Sequence, residues 1–240
     1  MRFVRSHLFN TLFVVWTLVM CLVWLPALLG PRIWTPRGQT LWARGVMAML
    51  RVIAGINIEI RGRAYLPHGA YVVAAKHQSA WETMIWHIIV NDPAIVMKKE
   101  LLSIPLYGWY STKAQMIPVD RKAGAKAMRR MMRAAEAAAA KGRPIIIFPE
   151  GTRSAPDQRL PYQPGTMAFY RHLKLPVVPV AMNSGLFWPK HSLIKQPGTI
   201  VLEFLEPIVP GLAKKDFNIE LETRIEEATT RLVAAGQDAL

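Results

Sequence analysis

Cysteine is almost absent from this chain, which has only Cys21 among its 240 residues. A lone cysteine cannot build a disulfide framework, and nothing around Cys21 has the spacing of metal ligands. We therefore expect neither a disulfide scaffold nor a structural zinc site.

Acidic residues are also scarce, with 16 Asp and Glu against 30 Lys and Arg, a formal net charge of +14. Hydrophobic residues make up 52% of the same chain. A basic and apolar chain predicts an anionic membrane surface as partner, where each Lys or Arg near the headgroups contributes about 1 kcal/mol. Nucleic acid is the alternative explanation of the charge, but nucleic-acid binders are seldom this apolar. We predict no nucleic-acid partner.

Charge is missing altogether from residues 8–31. This stretch is long enough for the ~20 residues of a membrane helix. A cleaved signal peptide is the alternative, but its apolar core is typically about 7–15 residues, so we expect the segment to be retained. Pro26 permits a bend in this segment. Because basic residues flank it on both sides, the positive-inside rule gives little indication of its orientation. A membrane span and a monotopic anchor therefore both stay open. The flanking basic residues are Arg2, Arg5, Arg32 and Arg37.

The next stretch, Leu41 to Ile56, has the pattern of an amphipathic helix that lies in a membrane interface. A helix that packs on the core of the domain is the alternative. Tryptophan prefers the headgroup boundary, and half of the eight tryptophans lie in these first two segments. We therefore predict a membrane-associated helical segment over residues 1–56. The four tryptophans are Trp16, Trp24, Trp34 and Trp42.

From residue 57 to 240, short β-branched runs alternate with helical patterns, which predicts an α/β domain with a largely parallel or mixed sheet covered by helices. With the N-terminal segment, the predicted architecture is this domain plus an apolar two-helix membrane anchor. The predicted strands are Ile58–Ile60, Tyr71–Ala75, Ala94–Met97, Met116–Val119, Pro144–Phe148, Val177–Ala181 and Thr199–Leu205. The predicted helices are Trp81–Val90, Ala123–Lys141, Thr166–Leu173 and Asn218–Ala235.

A histidine and a carboxylate follow the second predicted strand in His77-Gln-Ser-Ala-Trp-Glu82. Such a pair can take a proton from a hydroxyl, since the carboxylate holds the base in the right tautomer. In one continuous helix the two side chains would lie about 140° apart. We therefore expect His77 in a loop and Glu82 in the first helical turn. Ser79 and Glu82 also have the spacing of a capping box, so Glu82 as a helix cap alone is the alternative.

A second polar signature, Phe148-Pro-Glu-Gly-Thr-Arg-Ser154, follows another predicted strand. Pro149 ends the strand and places the next residues at the sheet edge, where α/β enzymes bind ligands. Gly151 allows close approach to the backbone, Arg153 suits a phosphate, and Glu150 can accept hydrogen bonds from polyol hydroxyls. The alternative is a turn with a solvated ion pair.

Together these motifs resemble those of the glycerolipid acyltransferases, specifically the bacterial 1-acyl-sn-glycerol-3-phosphate acyltransferases. The resemblance covers roughly residues 57 to 205 and departs at Glu82, where the family more often has Asp. It extends to Lys98-Lys-Glu-Leu-Leu-Ser-Ile-Pro-Leu-Tyr-Gly108, Ile117-Pro-Val-Asp-Arg121 and Val178-Pro-Val180.

The resemblance implies transfer of an acyl group from a thioester donor to the 2-hydroxyl of lysophosphatidate, giving phosphatidate for phospholipid synthesis. His77 would be the general base and Glu82 its orienting carboxylate. No metal or cofactor is implied, with acyl-CoA or an acidic acyl carrier protein as co-substrate. The implied location is the bacterial inner membrane, with the active site on its cytoplasmic face. The acceptor would be held by Lys98, Arg121, Glu150, Gly151, Thr152 and Arg153, with the adjacent Lys99 as the alternative to Lys98.

Several alternatives stay open. The acceptor could be glycerol 3-phosphate or another lyso-lipid, or water in a hydrolase. Ser79 could act as a nucleophile, although no Gly-x-Ser-x-Gly elbow surrounds it. The chain could also be a non-catalytic, membrane-tethered polyanion binder.

Five basic residues form one stripe along the helix predicted at Ala123–Lys141, the first of them directly before its predicted start. They predict docking to an anionic surface, either lipid headgroups or an acidic carrier protein, against the alternative of a solvated face. These residues are Lys122, Lys126, Arg129, Arg130 and Arg133.

Overall fold

The computed structural model describes residues 1–120 and 124–239, and the strands of this part form one seven-stranded mixed sheet in the order β1-β7-β6-β2-β5-β3-β4. Neighbouring strands are parallel except for the antiparallel pair of β6 and β7. The strands are β1 Ile56–Arg61, β2 Val72–Ala75, β3 Ala94–Lys98, β4 Ile117–Val119, β5 Ile145–Ile147, β6 Val177–Met182 and β7 Gly198–Phe204.

Helices cover both faces of this sheet. They are α1 Arg2–Val23, α2 Trp34–Met49, α3 Glu82–Ile89, α4 Tyr107–Lys113, α5 Gly124–Ala139, α6 Pro164–Leu173, α7 Ser184–Phe187 and α8 Lys214–Gln237. Strand β2 shows why two layers are needed, because successive side chains of a strand point to opposite faces. Val73 and Ala75 join the core under α1, α2 and α3, while Val72 and Ala74 join the core under α5, α6 and α8.

The predicted α/β class and its mixed, helix-covered sheet are confirmed, and each predicted strand overlaps an observed one. Two helices were not predicted. Helix α4 has seven residues and contains Gly108, and α7 has only four residues. Both are too short to show a helical period in the sequence.

Helix α1 alone, among the described residues, is long and apolar enough to cross a membrane, with a mean hydropathy of 1.8 over a window that is 17% buried. Its outward side chains, including Val15, Leu18 and Leu22, are exposed. This surface supports association with a membrane.

The second helix of the predicted anchor serves mainly as a core helix. Val46 and Leu50 are fully buried in the core that includes β2 and β7 residues. A π-helical turn, Leu50–Ala54, follows α2, and the helical segment ends at Gly55. The φ of Gly55 is 71°, the left-handed conformation that favours glycine. The core-packing alternative for Leu41 to Ile56 therefore describes this segment well.

The tryptophans of the first two segments hold α1 and α2 together. Trp16 Nε1 donates a hydrogen bond to Trp42 O (3.0 Å), and Trp42 Nε1 donates one to Thr17 Oγ1 (3.0 Å). Trp24 Nε1 donates to Trp34 O at 2.8 Å. These indole N–H groups thus find partners inside the helix pair and do not depend on lipid headgroups.

An ion-pair cluster joins the start of α2 to the sheet. Both guanidinium Nη atoms of Arg32 donate to the carboxylate of Asp92 at 2.8 Å, and Arg143 Nε lies 3.2 Å from the same carboxylate. Arg143 is 4% exposed and also donates to the carbonyl oxygens of Pro93 and Ala114. Asp92 is therefore shared by two arginines from separate parts of the chain.

Replacing Asp92 by Asn should lower the free energy of unfolding by about 3 kcal/mol, since it leaves the buried Arg143 without its counter-charge. Asn tolerates the φ of 50° at this position, so backbone strain is not the cause. Denaturant unfolding in detergent micelles measures the loss. Glu59→Gln, which breaks the exposed pair with Arg61, should cost less than about 1 kcal/mol. Equal losses in the two variants would contradict this account.

Candidate active site

A cavity of about 1130 Å³ lies at the carboxyl ends of the parallel strands β2, β5, β3 and β4. His77 follows β2, Lys98 ends β3, and Phe148 to Arg153 follow β5. The carboxyl ends of parallel strands meet at one edge of a sheet, which brings these distant residues to one opening. His77, Lys98 and Arg153 all line the cavity.

His77 and Glu82 form a hydrogen-bonded pair at this opening. His77 lies in the loop after β2, Glu82 is the first residue of α3, and His77 Nδ1 is 3.1 Å from Glu82 Oε1. The Glu82 side chain is fully buried, whereas 15% of the His77 side chain is exposed. A carboxylate can only accept, so Nδ1 carries the proton, and in the neutral tautomer with this hydrogen bond the lone pair is on Nε2.

The same carboxylate also holds the loop before helix α3. Glu82 Oε1 accepts hydrogen bonds from the backbone N–H groups of Gln78 (2.5 Å) and Ser79 (2.6 Å). Ser79 Oγ in turn accepts one from the N–H of Trp81 at 3.0 Å. Glu82 is therefore not only a helix cap: Trp81 is the N-cap residue of α3, and among the described residues no side chain caps this helix. The longer glutamate side chain reaches the His77 ring and both backbone donors of the loop.

Residues that the sequence did not single out brace this pair from the end of β6. Ser184 Oγ donates to Glu82 Oε2 at 3.0 Å, and the N–H of Gly185 donates to Gln78 Oε1 at 3.0 Å. Both residues lie at the start of α7, which follows β6, the strand next to β2 in the sheet. Their position at the end of a buried strand was the available sequence signal.

The imidazole of His77 is held on its other sides as well. Its ring stacks on Phe148 with centroids 4.2 Å apart and planes 22° from parallel. The N–H of Ser154 donates to the carbonyl oxygen of His77 at 2.8 Å. The two sequence motifs therefore contact each other directly.

The predicted acceptor-binding residues differ in their placement. Lys98, Gly151, Thr152 and Arg153 line the cavity with His77, whereas Lys99 donates to Asp120 at 3.2 Å. Arg121 lies outside the described residues. Lys190, which sequence reasoning missed, also lines the cavity and donates to the carbonyl oxygen of Arg153 at 2.8 Å.

Glu150 does not face the cavity as the polyol interpretation requires. It is 3% exposed, and its oxygens accept hydrogen bonds from Lys76 Nζ (2.8 Å) and from the N–H of His77 (3.1 Å). Desolvation raises the pKa of Glu150, and the hydrogen bond from Lys76 opposes this rise. Because protein donors already occupy this carboxylate, we assign it to supporting His77.

Away from the charged opening, the cavity extends between the sheet and the N-terminal helices. Its lining there comes from α1, α2 and α3 and includes Met20, Trp24, Trp42, Met84 and His87. The site therefore joins a basic, polar opening to a largely apolar interior, which suits an amphiphilic ligand.

Comparison with known proteins gives the family. The acyltransferase family model matches residues 57–183, just over half of the chain. The chain belongs to the acyltransferase family.

Individual relatives of this acyltransferase agree. It is 36% identical over 159 residues to the 1-acyl-sn-glycerol-3-phosphate acyltransferase of Pseudomonas aeruginosa, covering 66% of this chain and 62% of the relative. Its match to the enzyme of the same name from Cocos nucifera is 30% identical and covers 94% of this chain and 75% of the relative. The chain thus spans less than two thirds of the Pseudomonas relative's length.

A solved structure supports the fold. The 1-acyl-sn-glycerophosphate acyltransferase of Thermotoga maritima aligns with a TM-score of 0.77 at 24% identity, over 98% of this chain and 97% of that one. At this identity the likeness establishes the architecture of the acyltransferase, including its N-terminal helices.

His87 is a buried titratable group inside the cavity of the acyltransferase. Desolvation lowers its pKa from 6.5 to about 4, and the charge of Asp92 opposes this shift. Its Nδ1 has no hydrogen-bond partner within the described residues. His87 is therefore neutral in the folded protein at neutral pH.

This lowered pKa predicts acid sensitivity. Between pH 6.5 and about pH 4, His87 is protonated in the unfolded chain but not in the folded one. The contribution of neutral His87 to the free energy of unfolding is therefore fully present above pH 6.5 and is lost as the pH falls to about 4. The loss from this residue should approach about 3 kcal/mol. His87→Gln should flatten the fall in unfolding free energy between these pH values, measured by urea titration in detergent. The exposed His68→Gln should keep the parental slope, and an unchanged slope in His87→Gln would contradict the assignment.

Proposed function

We propose that the chain is a 1-acyl-sn-glycerol-3-phosphate acyltransferase, which moves an acyl group from a thioester to the 2-hydroxyl of lysophosphatidate and forms phosphatidate for phospholipid synthesis. The observation that carries the proposal is the His77–Glu82 pair at a cavity opening that Lys98 and Arg153 also line. Relatives from a bacterium and a plant carry this enzyme name.

In the proposed reaction, His77 Nε2 takes the proton of the acceptor hydroxyl while the hydroxyl oxygen attacks the thioester carbonyl. The tetrahedral intermediate collapses with loss of the thiolate, which receives the proton from the imidazolium. The Glu82 carboxylate stabilises the imidazolium and fixes the tautomer through Nδ1. These steps need no metal or redox cofactor, since the co-substrate already carries an activated acyl group.

The acceptor's phosphate would lie among the basic residues of the opening. Arg153 offers a planar donor pair that matches phosphate oxygens, and Lys98 adds a point charge. Gly151 and Thr152 also line the cavity, and the glycerol backbone would pass beside them. Arg121, three residues before α5, is proposed as a further phosphate ligand.

The apolar interior would hold acyl chain, and the N-terminal helices would bring the opening to the bilayer. Helix α1 is fixed lengthwise to the domain: Asn10 Nδ2 donates to Leu193 O at 2.9 Å, and the N–H of Lys195 donates to Ser6 Oγ at 3.0 Å. A helix bound along its side in this way fits a monotopic anchor better than a span. Its exposed apolar side chains would enter one leaflet.

We propose the cytoplasmic face of a bacterial inner membrane as the location. Thioester donors are made in the cytoplasm, and the anionic leaflet attracts a chain with a net charge of +14. The acceptor, a lyso-lipid, already lies in that leaflet.

His77→Ala should reduce phosphatidate formation from lysophosphatidate and an acyl thioester by about 10²–10⁴-fold, because it removes the positioned base. Purified, detergent-solubilised protein and a radiolabelled acyl donor measure this rate. His68→Ala is the matched control, since His68 is exposed and lies outside the cavity lining, and it should keep the parental rate. Equal rates in parent and His77→Ala would remove His77 as the base.

The same assay tests the competing acceptors. Acylation of glycerol 3-phosphate or another lyso-lipid, without lysophosphatidate activity, would replace the acceptor while keeping the reaction type. Thioester hydrolysis without any acyl acceptor would favour a hydrolase. Salt-dependent polyanion binding that survives His77→Ala, without acyl transfer, would favour a non-catalytic protein.

The donor would dock at helix α5. Lys126, Arg129, Arg130 and Arg133 are exposed, and Gly124, Ala125 and Met128 from the same helix line the cavity. This places a basic face beside the opening, and Lys122 of the predicted stripe lies outside the described residues. We propose that this face binds the acidic surface of an acyl carrier protein.

Reversing two charges with Arg129→Glu and Arg133→Glu should raise the KM for an acyl carrier protein donor about tenfold or more, since like charges now face the carrier. The KM for acyl-CoA should change less, because CoA lacks the extended acidic surface. Lys214→Glu and Lys215→Glu on α8, also exposed, form the matched control. Unchanged donor kinetics together with unchanged liposome binding would show that the α5 face is only solvated.

A further inference from the structure

Lys76, the residue before His77, lies in a buried cluster of charges. Its Nζ donates to Glu150 Oε1 (2.8 Å), to Glu226 Oε1 and Oε2 (2.9 and 3.0 Å), and to the carbonyl oxygen of Gln158 (3.2 Å). Lys76 is 1% exposed, and Glu150 and Glu226 are each 3% exposed. Tyr162 completes the cluster, donating its OH to Glu226 Oε1 at 2.9 Å.

This cluster ends at the backbone of His77. The second oxygen of Glu150 accepts the N–H of His77 at 3.1 Å. Through Glu150, the ammonium of Lys76 therefore fixes both the backbone that carries His77 and the loop that carries Arg153.

Glu226 brings a distant helix into this arrangement. It lies on α8, outside the residues 57–183 that the family model matches. Helix α8 packs on β6, which neighbours β2 in the sheet. The buried carboxylate of Glu226 thus links the C-terminal helix to the residue before His77.

A buried ion pair adds little net stability, because desolvation of the charges offsets much of their attraction. Apolar residues of similar size are often as stabilising. The hydrogen bonds of this cluster are directional and join four segments: the residue after β2, the loop after β5, residues 158–162 and α8. Such directionality suits a role in geometry better than a role in filling the core.

We propose that Lys76 and Glu226 are positioning residues, which hold His77 and the loop at residues 150–154 in register through Glu150. Neither side chain reaches the cavity lining, so both act through His77 and not on substrate. This inference rests on the proposed acyl transfer and extends it to the C-terminal helix.

The principal test is Glu226→Gln in the full-length chain. Glutamine keeps the size and one acceptor oxygen but removes the charge that Lys76 shares. We expect kcat to fall about tenfold through displacement of His77, with KM for both substrates within about twofold because the cavity lining is unchanged. Glu227→Gln removes the same charge from the next, exposed residue of α8 and should keep the parental kcat.

Lys76→Met provides a second, stronger variant. It leaves two buried carboxylates facing each other without a cation, so we expect kcat to fall about 100-fold. In the double variant Lys76→Met with Glu226→Gln this repulsion is relieved, and part of kcat should return. Such rescue marks a coupled network. If Lys76→Met does not fold, Glu226→Gln alone decides.

Amide hydrogen exchange gives a measurement that does not depend on the acceptor. In Glu226→Gln, exchange should accelerate at residues 76–79 and 150–154 and stay parental in β7 and α3. Parental kcat and exchange, or a uniform rise in exchange with lowered Tm, would overturn the inference and leave the cluster a structural one. If parent and Glu227→Gln both fail to acylate lysophosphatidate, the proposed function fails, while the exchange pattern still decides the positioning role.

Discussion

The carboxylate of Glu82 accepts hydrogen bonds from the His77 ring, from two backbone amides before α3, and from Ser184 at the start of α7. The donors come from the loop after β2 and from the start of α7, and the carboxylate itself belongs to α3, so one buried side chain joins three parts of the chain at the cavity opening. Such a charge is stable only where donors compensate its desolvation, and the N-terminus of α3 adds a favourable dipole. The orientation of His77, and with it the chemistry, depends on this compensation.

The parallel strands make the compensation possible. Because β2, β5, β3 and β4 run in the same direction, their carboxyl ends deliver His77, Phe148, Lys98 and Asp120 to one edge. The adjacent strand β6 supplies Ser184 at the same edge, and α8 covers β6 from behind. The proposed base, its supports and the proposed phosphate-binding charges therefore come from separate stretches of chain, and the sheet brings them to one edge.

Local sequence patterns predicted the strands and helices whose formation depends on residues close together in the chain. β-Branched runs marked the strands, and the interval from His77 to Glu82 required the loop and helix that the structure contains. The braces at Ser184 and Glu226 could not be predicted in this way, because they lie 102 and 150 residues from their partners. Glu150 shows the same limit: its motif indicated a polar loop, but only the fold shows that its carboxylate points inward to Lys76. The short helices α4 and α7 depend on tertiary contacts and have too few residues for a period.

The wall that α1 and α2 contribute to the cavity makes the anchor part of the catalytic body. Side chains such as Trp24 and Trp42 line the same cavity as His77. Arg32, just before α2, forms an ion pair with Asp92. Deleting the first two helices to obtain a water-soluble enzyme would remove one wall of this cavity and expose its interior to solvent. Membrane attachment and the cavity wall thus share helix α1, whose exposed side chains include Val15, Leu18 and Leu22 and whose inward side chains include Thr17 and Met20 of the cavity lining.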